Sequence, residues 1–141
     1  MGSQYEILRE TPTLAEYKYL CLVAGLDNEI NFNVAERSLK NSIFAVTVKS
    51  RDKVIGMGRI VGDGAMYFYI QDVIVHPGYR RLGMGKEIMN TLVEYLKENA
   101  PDKASVGLFI SKGKENFYEK CDFKDATPHT KGIFTVIKRC D

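Results

Sequence analysis

Residues 72–86 read Asp-Val-Ile-Val-His-Pro-Gly-Tyr-Arg-Arg-Leu-Gly-Met-Gly-Lys. A β-branched run stops at Pro77, two arginines and two glycines follow, and an amphipathic pattern then begins. That order predicts a strand, a basic Gly-rich turn and a helix. The first-turn N–H groups of a helix lack intrahelical partners, and the helix dipole adds partial positive charge there. Glycines let an anion approach the backbone, and arginines add charge-assisted hydrogen bonds. The segment therefore predicts a phosphate-bearing ligand.

The pattern continues on both sides. Upstream, a strand over 66–75 is rich in aromatic and β-branched residues, and strands over 43–49 and 54–61 precede it. The polar run 50–53 and Gly62-Asp63-Gly64 join the three as an antiparallel meander. Downstream, a helix from Gly83 to about 99 buries Ile88, Met89, Leu92, Tyr95 and Leu96, with Pro101 just beyond its end. A strand over 105–110 follows. Reaching it through a helix makes it parallel to 66–75.

Nearer the start, residues 4–8 read as a strand. Thr13 with Glu16 forms a capping-box signature before an apolar face of Leu14, Tyr17, Leu20, Cys21 and Ala24. A loop over 25–33 leads to Asn33, read as the cap of a helix over 34–41. A short helix over 114–120 and strands over 121–125 and 132–139 complete the order. The expected fold is α+β: a mixed, mostly antiparallel sheet with helices on both faces, in a single domain over 1–141.

Composition narrows the chemistry. The chain is 45% hydrophobic and 27% charged, as in an ordinary globular protein. A net charge of +2 is too small for a general nucleic-acid binder. The first 35 residues hold 2 basic and 5 acidic side chains, and the remaining 106 hold 18 and 13, an asymmetry that suits a cationic substrate beside an anionic ligand. Cys21, Cys121 and Cys140 are widely spaced, and with only His76 and His129 they offer no metal-site spacing. No apolar run approaches a membrane span. Residues 1–12 lack the regions of a signal peptide, and Glu6 stands where a myristoylation signal wants Ser or Thr, so cytoplasmic residence is expected.

The turn is neither a dinucleotide-binding GxGxxG nor a Walker A loop. Val75-x-x-x-x-Arg80-x-x-Gly83-x-Gly85 instead resembles the acetyl-CoA-binding motif of the GNAT superfamily of N-acetyltransferases. Glu115-Asn-Phe-Tyr118-Glu-Lys-Cys-Asp-Phe123 is similar to that family's late helix-and-strand motif, and the element order fits from about residue 4 to 139. The chain departs from the pattern at Asp122, where many members have Gly, and at Lys114, where many have Asn.

The resemblance implies that the strand at 71–75 splays from its parallel neighbour. The pantetheine arm of acetyl-CoA then enters the gap against the backbone of Val73, Ile74 and Val75, with the Ile74 N–H as oxyanion donor. The pyrophosphate rests on the N–H groups of Arg81, Leu82, Gly83, Met84 and Gly85, with Arg80 and Lys86 nearby. Tyr118 matches the family tyrosine near the cofactor sulfur, where a phenol of pKa about 10 suits a proton donor to a departing thiolate. The base is left between Asp72, the only carboxylate on its strand, and ordered water. Tyr69 and Gln71 are expected to line the acceptor site, and Asp27 and Glu29 to attract a cationic amine. The implied function is transfer of acetyl from acetyl-CoA to a primary amine of a small molecule or peptide, without a metal, nucleic acid or membrane. A homodimer is a family-level expectation. The alternative is a non-catalytic acyl-CoA sensor, which would need the turn and not Tyr118.

Overall fold

The computed structural model describes residues 5–110, 114–121, 123–124 and 132–139. The chain packs as two compact units, Met1–Phe109 and Ile110–Asp141. The first holds a five-stranded sheet in the order β1-β2-β3-β4-β5. These strands are β1 (Glu6–Leu8), β2 (Phe44–Ser50), β3 (Lys53–Gly62), β4 (Tyr67–Val75) and β5 (Ser105–Gly107). The first three pairings are antiparallel and β4–β5 is parallel, as the crossover rule requires.

Helix α1 (Leu14–Val23) starts as expected. The Thr13 hydroxyl accepts from the Glu16 N–H, and the Glu16 carboxylate accepts from the Thr13 N–H. Helix α2 (Phe32–Lys40) starts two residues before the expected point. Asn31, not Asn33, caps it by accepting from the Asn33 N–H. Phe32 sets its ring edge-on to Tyr17 at 6.2 Å, so burial of an aromatic at the first helical position draws the turn earlier.

Helix α3 (Met84–Asn99) lies on the opposite face from α1 and α2. Two glycines in β3 allow it to approach the sheet. A Cβ on Gly58 would sit 2.7 Å from Ile88 Cγ2 and 3.0 Å from Leu92 Cδ1, and one on Gly56 would sit 3.0 Å from Met84 Sδ. The alternate residues of β3 face the other way, where Met57 packs with Tyr17, Leu20, Cys21, Ala35, Leu39 and Ile74. Tyr95 stacks on Phe44 at 4.2 Å on the α3 face.

Two expectations change. The strand expected over 105–110 ends at Gly107. Of the two last strands, residues 121, 123–124 and 132–139 carry none, and 132–139 are exposed throughout. In the second unit, α4 (Glu115–Glu119) is the short helix expected there.

Candidate functional site

The phosphate turn begins where β4 stops. His76 takes a β-type ψ, and its Nδ1 accepts from the Gly78 N–H at 3.0 Å, capping a short 3-10 turn over Pro77–Tyr79. That bond leaves the proton of a neutral ring on Nε2, which lies 3.1 Å from the Tyr19 hydroxyl. Burial, then the charges of Lys53 and Arg80, push the His76 pKa down and favour the neutral ring.

Arg81 and Gly83 both take left-handed conformations, with φ of 68° and 83°. Turns of this kind aim backbone N–H groups into a concavity that suits an anion. Gly83 is the N-cap of α3 and offers no side chain to the first-turn N–H groups. Arg80, Arg81, Leu82, Gly83 and Lys86 are exposed around the turn. Met84 is different: its side chain is buried in the core beside Gly56, so only its backbone is available to a ligand. A Cβ on Gly85 would meet only Val75 Cγ2, at 3.9 Å, and otherwise open space. A phosphate-bearing ligand fits this turn.

Strand β4 supplies the second part of the site. It pairs with β5 only from Tyr67↔Ser105 to Tyr69↔Gly107, then runs on to Val75, so among the described residues the edge beyond Tyr69 has no ladder partner. Tyr69 marks the parting. Its ring lies beside Gly107, and the Phe109 ring stands edge-on to it at 5.7 Å. Burial raises the Tyr69 pKa, keeping the phenol protonated.

The register against β3 shifts between Met57↔Ile74 and Arg59↔Gln71, so β4 carries one extra residue there. Asp72 is the extra residue, with φ of 58°. In a regular strand Asp72 would face away from Gln71. The bulge puts both side chains on one face, with Gln71 Nε2 3.5 Å from Asp72 Oδ1. Beyond it, the His76 N–H bonds to the Ile55 carbonyl at 2.8 Å. By alternation the Ile74 backbone groups also point to β3, and those of Val73 and Val75 point to the open edge. Ile74, expected as the oxyanion donor, therefore turns its N–H away from the gap, and Val73 and Val75 offer theirs.

Asp72 is not a free carboxylate. Its Oδ2 accepts from Arg59 Nε at 2.8 Å and from the Tyr17 hydroxyl at 3.2 Å, and the two side chains of the ion pair are 9% and 8% exposed. Burial and the Asp72 charge push the Tyr17 pKa far up, so this phenol stays a donor. Sequence reasoning passed over Arg59 and read Tyr17 only as part of an apolar helix face. The signal was an arginine between Gly58 and Ile60 in an apolar strand, which requires a buried acidic partner.

Tyr69 is half-buried and Gln71 exposed. Asp27 and Glu29 lie in a 3-10 turn after α1, the first half-buried and the second exposed. In the second unit, Tyr118 lies on α4, half-buried, with the Phe117 ring perpendicular to its own at 4.9 Å. Burial, then Cys121, raises its pKa above the ordinary 10.0. Lys114 caps α4 with no side-chain bond, and Asp122 lies outside the described residues. Among the described residues, no three His, Cys, Asp or Glu side chains come together as a metal site, and no helix is long and apolar enough to cross a membrane.

Comparison with known proteins matches residues 5–123 to the acetyltransferase (GNAT) family. The chain belongs to that family. The uncharacterized N-acetyltransferase ycf52 of Pyropia yezoensis is 29% identical over 101 residues, covering 69% of this chain and 57% of the relative. Histone acetyltransferase TAP1 of Glycine max is 30% identical over 108 residues, covering 69% and 46%. The chain thus spans about half the length of the curated relatives it matches. A probable acetyltransferase from meticillin-resistant Staphylococcus aureus superposes with a TM-score of 0.86 at 29% identity, covering 94% of this chain and 99% of that one. A GNAT family protein of Streptococcus pneumoniae gives 0.75 at 27%, covering 96% and 98%. The mixed sheet with its parallel β4–β5 pair is the fold of this GNAT member.

Proposed function

We propose that the protein is an N-acetyltransferase that moves acetyl from acetyl-CoA to a primary amine by direct attack in a ternary complex. One observation carries the reading: the open edge of β4 at Val73–Val75 runs straight into the left-handed turn at Arg81–Gly83 and the start of α3. An unpaired strand edge suits the two amides of pantetheine, and the turn suits a pyrophosphate. When bound, acetyl-CoA supplies the activated thioester.

In this reading the Val75 backbone aligns the pantetheine arm, and Val73, in place of Ile74, donates its N–H to the thioester oxygen as negative charge develops. Arg81 to Gly85 hold the pyrophosphate through their N–H groups, with Arg80 and Lys86 adding charge. The amine lone pair attacks the carbonyl carbon, the C–S bond breaks, and the departing sulfur takes a proton from Tyr118. Its raised pKa keeps that proton available at neutral pH. The ammonium proton leaves through ordered water, which returns one to the Tyr118 phenolate, because the Asp72 carboxylate is engaged by Arg59 and Tyr17.

Tyr69, Gln71, Asp27 and Glu29 line the approach proposed for a cationic amine of a small molecule or peptide. The proposed setting is the cytoplasm, and a homodimer is the assembly that the family resemblance suggests. The test is acetyl transfer from acetyl-CoA across a panel of polyamines, amino sugars, arylalkylamines and lysine peptides, read as free thiol. Turnover with at least one class is expected. Saturable acetyl-CoA binding with no transfer to any of them would replace the enzyme by an acyl-CoA sensor.

A further inference from the structure

The Arg59 guanidinium is held on every side. Its Nη1 donates to the Ser38 carbonyl at 3.1 Å and to Ser42 Oγ at 3.2 Å, and its Nη2 donates to Ser38 Oγ at 3.0 Å. Ser38 lies in the last turn of α2, where helix carbonyls favour a cation. With Nε on Asp72 and the Tyr17 hydroxyl on the same carboxylate oxygen, one network joins α1, α2, β3 and the bulge of β4. Its far end is the left-handed residue of that bulge.

The bulge decides which way the next three residues face. A strand without it would slip by one residue and invert every side chain beyond. As built, Ile74 packs in the core with Met57, while Val73 meets α3 beside Gly58 and Val75 meets Gly85. Left-handed backbone is unfavourable for any residue with a Cβ, and Asp tolerates it better than most. Something must hold position 72 there, and the ion pair is tied to it.

We propose that Arg59 and Asp72 are positioning residues: their buried ion pair holds the left-handed residue of the β4 bulge, and so sets the Val73–Val75 edge that receives the acetyl-pantetheine arm. The inference rests on the coenzyme reading above. It gives Asp72 a role distinct from that of a base, acting through backbone geometry rather than on a proton.

The test compares the wild type with Arg59→Met/Asp72→Ala and Arg59→Met/Asp72→Gly. Both doubles remove the whole pair, which avoids stranding one buried charge. They differ only in backbone, since Gly enters the left-handed region freely and Ala does not. Each is titrated with acetyl-CoA and with ADP, which reaches only the phosphate turn, after thermal melting has shown a folded protein. The expected result is that the Ala double loses acetyl-CoA affinity about tenfold with ADP affinity unchanged, and the Gly double returns to within about threefold of wild type. An Ala double that keeps its acetyl-CoA-to-ADP ratio within about twofold, or Ala and Gly doubles that fall equally, overturns the inference. If the Ala double does not fold, Arg59→Gln/Asp72→Ser replaces it, because it removes both charges, keeps a Cβ at position 72 and leaves polar groups for Ser38, Ser42 and Tyr17. An unchanged ratio in that double overturns the inference in the same way. A wild type that binds ADP and acetyl-CoA equally, or neither, fails at the coenzyme reading itself.

Discussion

Gly85→Ala separates the needs of the fold from those of a ligand, because the two effects have opposite signs. Position 85 is the second residue of α3, and the added methyl would meet Val75 Cγ2 at 3.9 Å, ordinary van der Waals contact. Replacing Gly by Ala inside a helix contributes about 0.5–1 kcal/mol. In the first turn the lower end applies, and a gain of about 0.5 kcal/mol raises the melting temperature of a domain this size by about 1–3 °C. The same methyl occupies the space that the turn leaves open beside its N–H groups. A phosphate held there at hydrogen-bond distance would be displaced, and a loss of about 1.4 kcal/mol or more lowers affinity at least about tenfold. Thermal melting and calorimetric titration with ADP read the two effects on one sample. A variant that melts higher and binds as tightly as wild type would refute the close-approach argument for Gly85. A variant that melts several degrees lower would refute the reading of open space around it.

Gly58→Ala should act on the fold alone. Its Cβ would sit 2.7 Å from Ile88 Cγ2 and 3.0 Å from Leu92 Cδ1, and overpacking of this kind costs about 1–3 kcal/mol, read by denaturant unfolding. Tyr118→Phe should lower turnover by about a hundredfold with acetyl-CoA affinity unchanged. Because its pKa lies above 10.0, the wild-type rate should hold to alkaline pH and fall only as that phenol ionises, and an unchanged turnover in the variant removes Tyr118 from the mechanism. The His76 pKa is pushed below its ordinary 6.5, so the unfolded chain takes up the proton first as pH falls. The contribution of the His76 cap is therefore whole above 6.5 and lost as pH drops through the lower folded value. Protonating Nδ1 also removes the acceptor for the Gly78 N–H, so ADP affinity should weaken over the same range, and His76→Asn should flatten that dependence.

The elements that position the turn were legible because their signals are local. The Thr13–Glu16 capping box, the β-branched run ending at Pro77 and the apolar stripe of α3 each act over a few residues. The cap of α2 was read at Asn33, and the structure puts it at Asn31, with Phe32 packed against Tyr17. The bulge left no trace of that kind. Its left-handed position carries Asp rather than Gly, and what holds it is an arginine 13 residues earlier and a tyrosine 55 residues earlier. The facing of Ile74 depends on that bulge, so its backbone direction could not be read from the motif. Residues 132–139 show the converse: an apolar-rich segment read as a strand that carries none.

The central claim is that β4 and the turn after it form one continuous site for acetyl-CoA. Calorimetric titration of the purified protein with acetyl-CoA, free CoA and ADP tests it most directly. Saturable binding of all three is predicted, with acetyl-CoA and CoA tighter than ADP because only they carry the arm that the open edge receives. Binding of ADP alone would leave the phosphate turn and contradict the edge, and no binding at millimolar acetyl-CoA would contradict the whole site.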